Sequence, residues 1–117
     1  MTESDIQRQI RIAISPFGTY FRANVGQAWT GDNYIQTESG LFIKNPRPFN
    51  TGLPKGFPDL FGFTLKDNIP IFTAIEVKTP KGRVRQDQAY ILDFLKDKGA
   101  IVGVARSVKD AIEILKR

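Results

Sequence analysis

Two runs of alternating residues, Phe57 to Leu65 and Ile71 to Thr79, flank the polar triplet Lys66-Asp67-Asn68. A strand turns successive side chains to opposite faces. Two such runs joined by a short polar turn read as an antiparallel hairpin. Both runs also carry charge where an apolar row is expected. Glu76 and Lys78 continue the row of Phe72 and Ala74, while Ile75 and Val77 face the other way. Asp59 shares its row with Phe57, Phe61, Phe63 and Leu65. Burying such charges is expensive unless each finds a partner or a metal. Counted from Asn68, Asp59 lies nine residues back and Glu76 eight residues on. The hairpin therefore brings the two carboxylates together at one end of a sheet.

The rest of the chain supplies the frame. Ile6, Ile10, Ala13 and Ile14 have the spacing of one helical face, which predicts a helix over Thr2–Ser15. Thr2 suits its cap, Glu3 and Asp5 suit its positive end, and Ser15-Pro16-Phe17-Gly18 stops it. Thr19–Val25 reads as a strand. Gly26, Gly31, Asp32 and Asn33 mark turns, with Trp29 between them expected in a core. Tyr34–Thr37 and Leu41–Ile43 read as short strands. Asn45–Gly56, with three prolines and two glycines, reads as an irregular loop. Further on, a helix is expected over Gln86–Lys98, with Ile91, Leu92 and Leu95 inward and Gly99 as its cap. A buried strand at Ala100–Ala105 follows, then a last helix capped by Ser107, with Val108, Ala111, Ile112 and Leu115 on its apolar face. This order describes an α/β sandwich with a mixed sheet. The helix from Gln86 crosses between two parallel strands. No repeat or boundary interrupts the chain, so residues 1–117 read as one domain.

Absences narrow the chemistry. The chain has no cysteine and no histidine. Disulfides, zinc sites built on those ligands, and Ser-His-Asp or Cys-His schemes are excluded. Any metal must be held by oxygen, which points to magnesium, manganese or calcium. No G-x-x-x-x-G-K-[ST] pattern occurs, so nothing supports a role driven by ATP. No apolar run approaches the ~20 residues of a membrane helix. The polar start, Met1–Arg11, is no signal peptide, so the expected place is the cytoplasm. A net charge of +5 favours a polyanionic partner without proving one.

Two carboxylates that converge repel each other unless a cation lies between them. Magnesium accepts one or two carboxylates together with water and phosphate oxygens. Lys78 beside it would face a scissile phosphate or orient the attacking water. The plainer reading is a surface ion pair between Glu76 and Lys78, with Asp59 capping a turn after Pro58. Both motifs stand in order on consecutive strands, and that favours the site.

Gly56-Phe57-Pro58-Asp59-Leu60, then Glu76-Val77-Lys78, then Gly82-Arg83 and Gln88, resembles the VRR-NUC branch of the PD-(D/E)XK nucleases. The run from Glu76 to Arg83 is especially similar to small stand-alone, phage-type members. The resemblance spans nearly the whole chain. It implies a restriction-endonuclease-like α-β-β-β-α-β core. It implies that Asp59 and Glu76 ligate a metal, with the Val77 carbonyl as a third ligand, and that Lys78 is the motif lysine. Gln88 matches a glutamine placed near the active site; by itself it reads as a polar residue on an exposed helix. The family often has an acid on the first helix, and Glu3 is the candidate, although it is equally a natural helix-start residue. Gln7, where some relatives carry an acid, is an amide here.

Lys81, Arg83 and Arg85 cluster after the catalytic strand, and Arg22, Lys44, Arg47 and Lys55 surround the loop before Asp59. Arg22, Lys55, Lys81, Arg83 and Arg85 are the expected DNA contacts, since neutralised phosphates supply most non-specific affinity. Simple solvation of a basic surface is the alternative. Trp29 and Tyr34 offer faces for stacking on bases. The resulting expectation is a magnesium-dependent DNA endonuclease, with manganese able to substitute, in a bacterial or phage-infected cell. Some stand-alone relatives act as homodimers on branched DNA such as four-way junctions or flaps. The rival is a non-catalytic nucleic-acid-binding module on the same fold.

Overall fold

The structure, a computed structural model, describes residues 1–25 and 27–117. The turn expected at Gly26 lies outside the described residues. Along the chain run α1 (Glu3–Ile14), a 3-10 turn (Ser15–Phe17), β1 (Gly18–Arg22), β2 (Gln27–Thr30), β3 (Asn33–Thr37), β4 (Gly40–Lys44) and β5 (Arg47–Asn50). Then come β6 (Leu60–Lys66), β7 (Ile69–Val77), α2 (Gln86–Asp97), β8 (Ile101–Ala105) and α3 (Val108–Leu115).

The expected hairpin is the centre of a four-stranded sheet in the order β1-β6-β7-β8. Its turn is tighter than the triplet suggests, because Lys66 pairs with Ile69 and only Asp67 and Asn68 remain outside the ladder. Both adopt left-handed backbone, with φ of 52° and 64°. A two-residue turn with positive φ at both positions matches the twist of paired strands, and Asp and Asn tolerate that conformation. β1 lies antiparallel to β6, and β8 lies parallel to β7 across the α2 crossover. The mixed α/β sheet and the α-β-β-β-α-β core are thus as expected, with α3 appended.

Each face of the sheet has its own core. On one face, Ile6, Ile10 and Ile14 of α1 meet Ile75 and Val77 of β7 and Ile114 and Leu115 of α3. On the other, Leu92 of α2 packs on Ala74 and Val102. Burying one such side chain is worth about 1.5–3 kcal/mol. α1 begins as its sequence dictates: the Thr2 hydroxyl accepts from the Asp5 amide, and the Asp5 carboxylate accepts from the Thr2 amide. The Ser107 hydroxyl accepts from the Asp110 amide and starts α3 in the same manner.

Four expectations need correction. β6 starts at Leu60, not Phe57. Pro58 has no N–H to donate, and the Asp59 side chain turns instead to the Val77 amide, 2.8 Å away. β1 ends at Arg22, so Val25 lies outside it. The segment Asn45–Gly56 is not wholly irregular, because β5 pairs with β2 while β3 pairs with β4 inside them. Together they form a long two-stranded arm. Pro48 is tolerated there because the ribbon has free edges that need no donor. Trp29 is not in a core: it lies on β2, 56 % exposed. The arm draws the molecule out to 50 × 30 × 30 Å, with a radius of gyration of 16.8 Å. A compact chain of this length has about 13 Å.

Candidate active site

The site forms where β7 runs out, on the α2 face of the sheet. Glu76 belongs to the row of Ala74 and is 1 % exposed, and Lys78, just past the strand, is 8 % exposed. A surface ion pair is therefore ruled out. The Lys78 ammonium lies 3.9 Å from Glu76 Oε1. Gln88, on the third residue of α2, donates from Nε2 to the same oxygen at 3.2 Å. Its own Oε1 accepts from the Arg85 amide at 2.9 Å, which closes the N-terminus of the helix. A buried glutamine is therefore spent on orienting a buried glutamate.

Asp59 arrives from the other arm of the hairpin. Its Oδ2 accepts from the Val77 amide, and its backbone carbonyl accepts from Ala23 at 2.8 Å. The segment before it is fixed by Gly56, which has φ of 89°. A Cβ there would meet the backbone of Asp87 at 2.9 Å, so only glycine lets this loop close on the first turn of α2. Asp59 then abuts Glu76. Burial pushes the Glu76 carboxyl up to about 9, and the adjoining Asp59 carboxyl pushes the same way. Lys78 offsets this in part, and Glu3 adds the smallest push. Among the described residues, Glu76 Oε2 is buried with no hydrogen-bond partner.

The VRR-NUC domain family matches residues 1–109 of the 117. The chain belongs to the VRR-NUC family. Membership brings nuclease-type activity on DNA. None of the curated proteins matches the chain. Among the described residues, no helix of this VRR-NUC chain is long and apolar enough to cross a membrane.

Asp59, Glu76, Lys78 and Gln88 are brought together, and the Val77 backbone lies among them. Glu3, the first residue of α1, is exposed but close enough for its charge to act on Glu76. It does not join a cluster of three acids, since no such group gathers among the described residues. Arg22, Lys55, Lys81, Arg83 and Arg85 are all exposed. Arg22 closes β1 opposite Leu60, so it borders the site. Arg85 is not wholly available, because its Nε lies 3.1 Å from Asp87 Oδ1. Arg47 is tied to Asp32 at 2.9 Å out on the arm, where Lys44 also lies.

Sequence reasoning passed over Arg106. Its Nη1 donates to the carbonyls of Thr79 and Gly82, both at 2.7 Å, and so grips the turn that leaves the site. A lone arginine after a strand gives no signal of this, because its partners are backbone carbonyls 24 and 27 residues away.

Proposed function

We propose that residues 1–117 form one PD-(D/E)XK nuclease domain that hydrolyses phosphodiester bonds in DNA as a magnesium-dependent endonuclease. One observation carries this reading: a glutamate and a lysine are buried at a strand end against the half-buried Asp59, and among the described residues one glutamate oxygen has no hydrogen-bond partner. A cluster with no function has no reason to bear that cost. The donor set is all oxygen, and it lacks one positive charge of the right kind. Both features fit a hard divalent cation.

Asp59, Glu76 and the Val77 carbonyl would hold magnesium, or manganese in its place, with Glu3 the candidate for a further ligand. The ion, when bound, supplies the charge that polarises the phosphate and eases deprotonation of water. The chain's own residues set the geometry. The Val77 amide holds Asp59 through Oδ2 and so fixes how its carboxylate is turned. Gln88 and Lys78 both address Glu76 Oε1, which leaves Oε2 free to face the ion. Lys78 stands beside that carboxylate as the group that orients the attacking water or neutralises charge growing on the phosphate. Lys81 and Arg83, with Arg22, Lys55 and Arg85, take the flanking phosphates.

The substrate in this reading is branched DNA, such as a four-way junction or flap, met by a homodimer in the cytoplasm of a bacterial or phage-infected cell. The arm supports the dimer: Trp29, Tyr34, Ile35, Leu41, Phe42 and Phe49 are each 46–57 % exposed on it. A two-stranded ribbon with apolar residues on both faces is marginal in water by itself. A symmetric pair would set two sites on a two-fold substrate.

Cleavage of labelled duplex, flap and four-way-junction DNA in magnesium, manganese or EDTA tests this. Metal-dependent cutting that disappears in Asp59→Ala, Glu76→Ala and Lys78→Ala is the expected result. DNA binding with no cutting in either metal would instead select the binding module. Cutting that survives all three substitutions would overturn the site.

A further inference from the structure

The turn from Thr79 to Gly82 joins Lys78 to the segment leading into α2, and it presents Lys81 and then Arg83 to solvent. A single internal bond closes it, from the Gly82 amide to the Thr79 carbonyl at 3.0 Å. The other restraint comes from outside. Arg106 follows β8 directly, and its Nη1 reaches Thr79 O and Gly82 O at 2.7 Å each, with Pro80 O at 3.4 Å. That nitrogen carries two hydrogens, and the two short bonds use both. The root of the side chain is fixed as well, because the Arg106 amide donates to Asp110 Oδ2 at 2.9 Å. One residue earlier, the Ala105 carbonyl accepts from the Lys78 amide at 3.1 Å. Lys78 is thus pinned at its own amide by Ala105, and one residue further on by Arg106.

We propose that Arg106 is a positioning residue, which holds the Thr79–Gly82 turn so that Lys81 and Arg83 grip substrate phosphates beside Lys78. This rests on the phosphodiesterase reading above. Arg106 touches no acid of the site. Its side-chain bonds all go to carbonyls of that turn, so its effect must pass through what the turn carries. Both short bonds come from one terminal nitrogen, and a lysine side chain ends one bond short of that position, so its ammonium reaches the two carbonyls less well. Arg106→Lys should therefore fall between the parent and Arg106→Ala.

The test compares Arg106→Ala and Arg106→Lys in the parent and in a Lys81→Ala/Arg83→Ala background. Amide exchange, DNA affinity against salt in EDTA, and kcat and KM in magnesium are measured on each. Arg106→Ala should speed exchange in the peptide spanning 79–83 and leave β7 and β8 protected. KM should rise about tenfold with kcat held within about twofold, and the salt slope should fall by up to about two, the share of two phosphate contacts. In the Lys81/Arg83 background the substitution should add nothing. A further rise in KM there, or an unchanged salt slope in the parent, would overturn the inference, as would accelerated exchange across the whole sheet. A parent that cuts DNA while Arg106→Ala matches it sinks this inference alone. A parent that neither cuts nor binds sinks the phosphodiesterase reading and this inference with it.

Discussion

Glu76 is where the fold and the chemistry compete. Burial first, and then the adjoining Asp59, push its carboxyl up to about 9 in the folded chain from an ordinary 4.5. The sign follows from which state holds the proton. Below about 4.5 both states are protonated and nothing is lost. Between 4.5 and 9 the unfolded chain releases the proton while the folded chain keeps it, so metal-free stability falls as pH rises. The slope from one such proton is at most about 1.4 kcal/mol per pH unit, lessened by whatever solvent reaches the group. Urea midpoints measured in EDTA at pH 6 and pH 8 should therefore differ, with the higher pH less stable. Glu76→Gln should flatten that difference. Magnesium should restore more stability at pH 8 than at pH 6, because ion and proton compete for one oxygen. Equal midpoints in the parent at both pH values would mean that Glu76 is not held protonated. Gln88 acts on the same oxygen. Gln88→Ala removes the donor to Oε1 and leaves the glutamate free to turn, so kcat should fall about tenfold to a hundredfold with little change in DNA affinity. Binding curves in EDTA beside turnover in magnesium separate the two effects.

At the scale of elements, legibility in the sequence followed how local the cause was. α1 was readable because its signals are local: Thr2 and Asp5 exchange bonds three residues apart, and Ile6, Ile10 and Ile14 fall on one face. Thr2→Ala should cost about 1 kcal/mol, read as a lower urea midpoint with unchanged activity per folded molecule. A larger cost would mean that the helix start also supports the site through Glu3. The central hairpin was readable because an alternating pattern and a polar turn suffice to define it. That the two carboxylates converge also followed from counting along that hairpin. What the pattern missed was made by distant partners. β2 and β5 pair across 17 or more residues, and β5 carries a proline that argues against a strand by local rules. The Asp59–Val77 bond, which makes β6 start late, joins residues 18 apart. Arg106 is the same case: only the parallel placement of β8 beside β7 brings its guanidinium over the Thr79–Gly82 turn.

For the molecule as a whole, the arm is the feature without an internal explanation. Cross-strand partners Ile35 and Phe42 lie on one face of the outer ribbon, and Tyr34 and Ile43 on the other. Half of an aromatic side chain is about 100 Å², so the six exposed residues offer several hundred Å², close to the ~800 Å² one partner gives to a standard interface. DNA is a poor candidate to cover this surface. Residues 27–50 hold Lys44 and Arg47 against Asp32 and Glu38, so the whole excess of +5 lies elsewhere on the chain. Its arginine is already tied to Asp32. A neutral apolar arm suits another protein surface, and a second copy provides one at every concentration where the chain exists. Ile35→Ser with Phe42→Ser should then turn a dimer into a monomer in light scattering, with the core melting almost unchanged because neither ribbon packs firmly on the sheet. Cutting of a four-way junction at paired positions should become single and uncoordinated, while cutting of simpler substrates persists. A parent that stays monomeric at high concentration would remove the dimer from the reading. It would leave the carboxylate site untouched, because that site is assembled wholly within one chain.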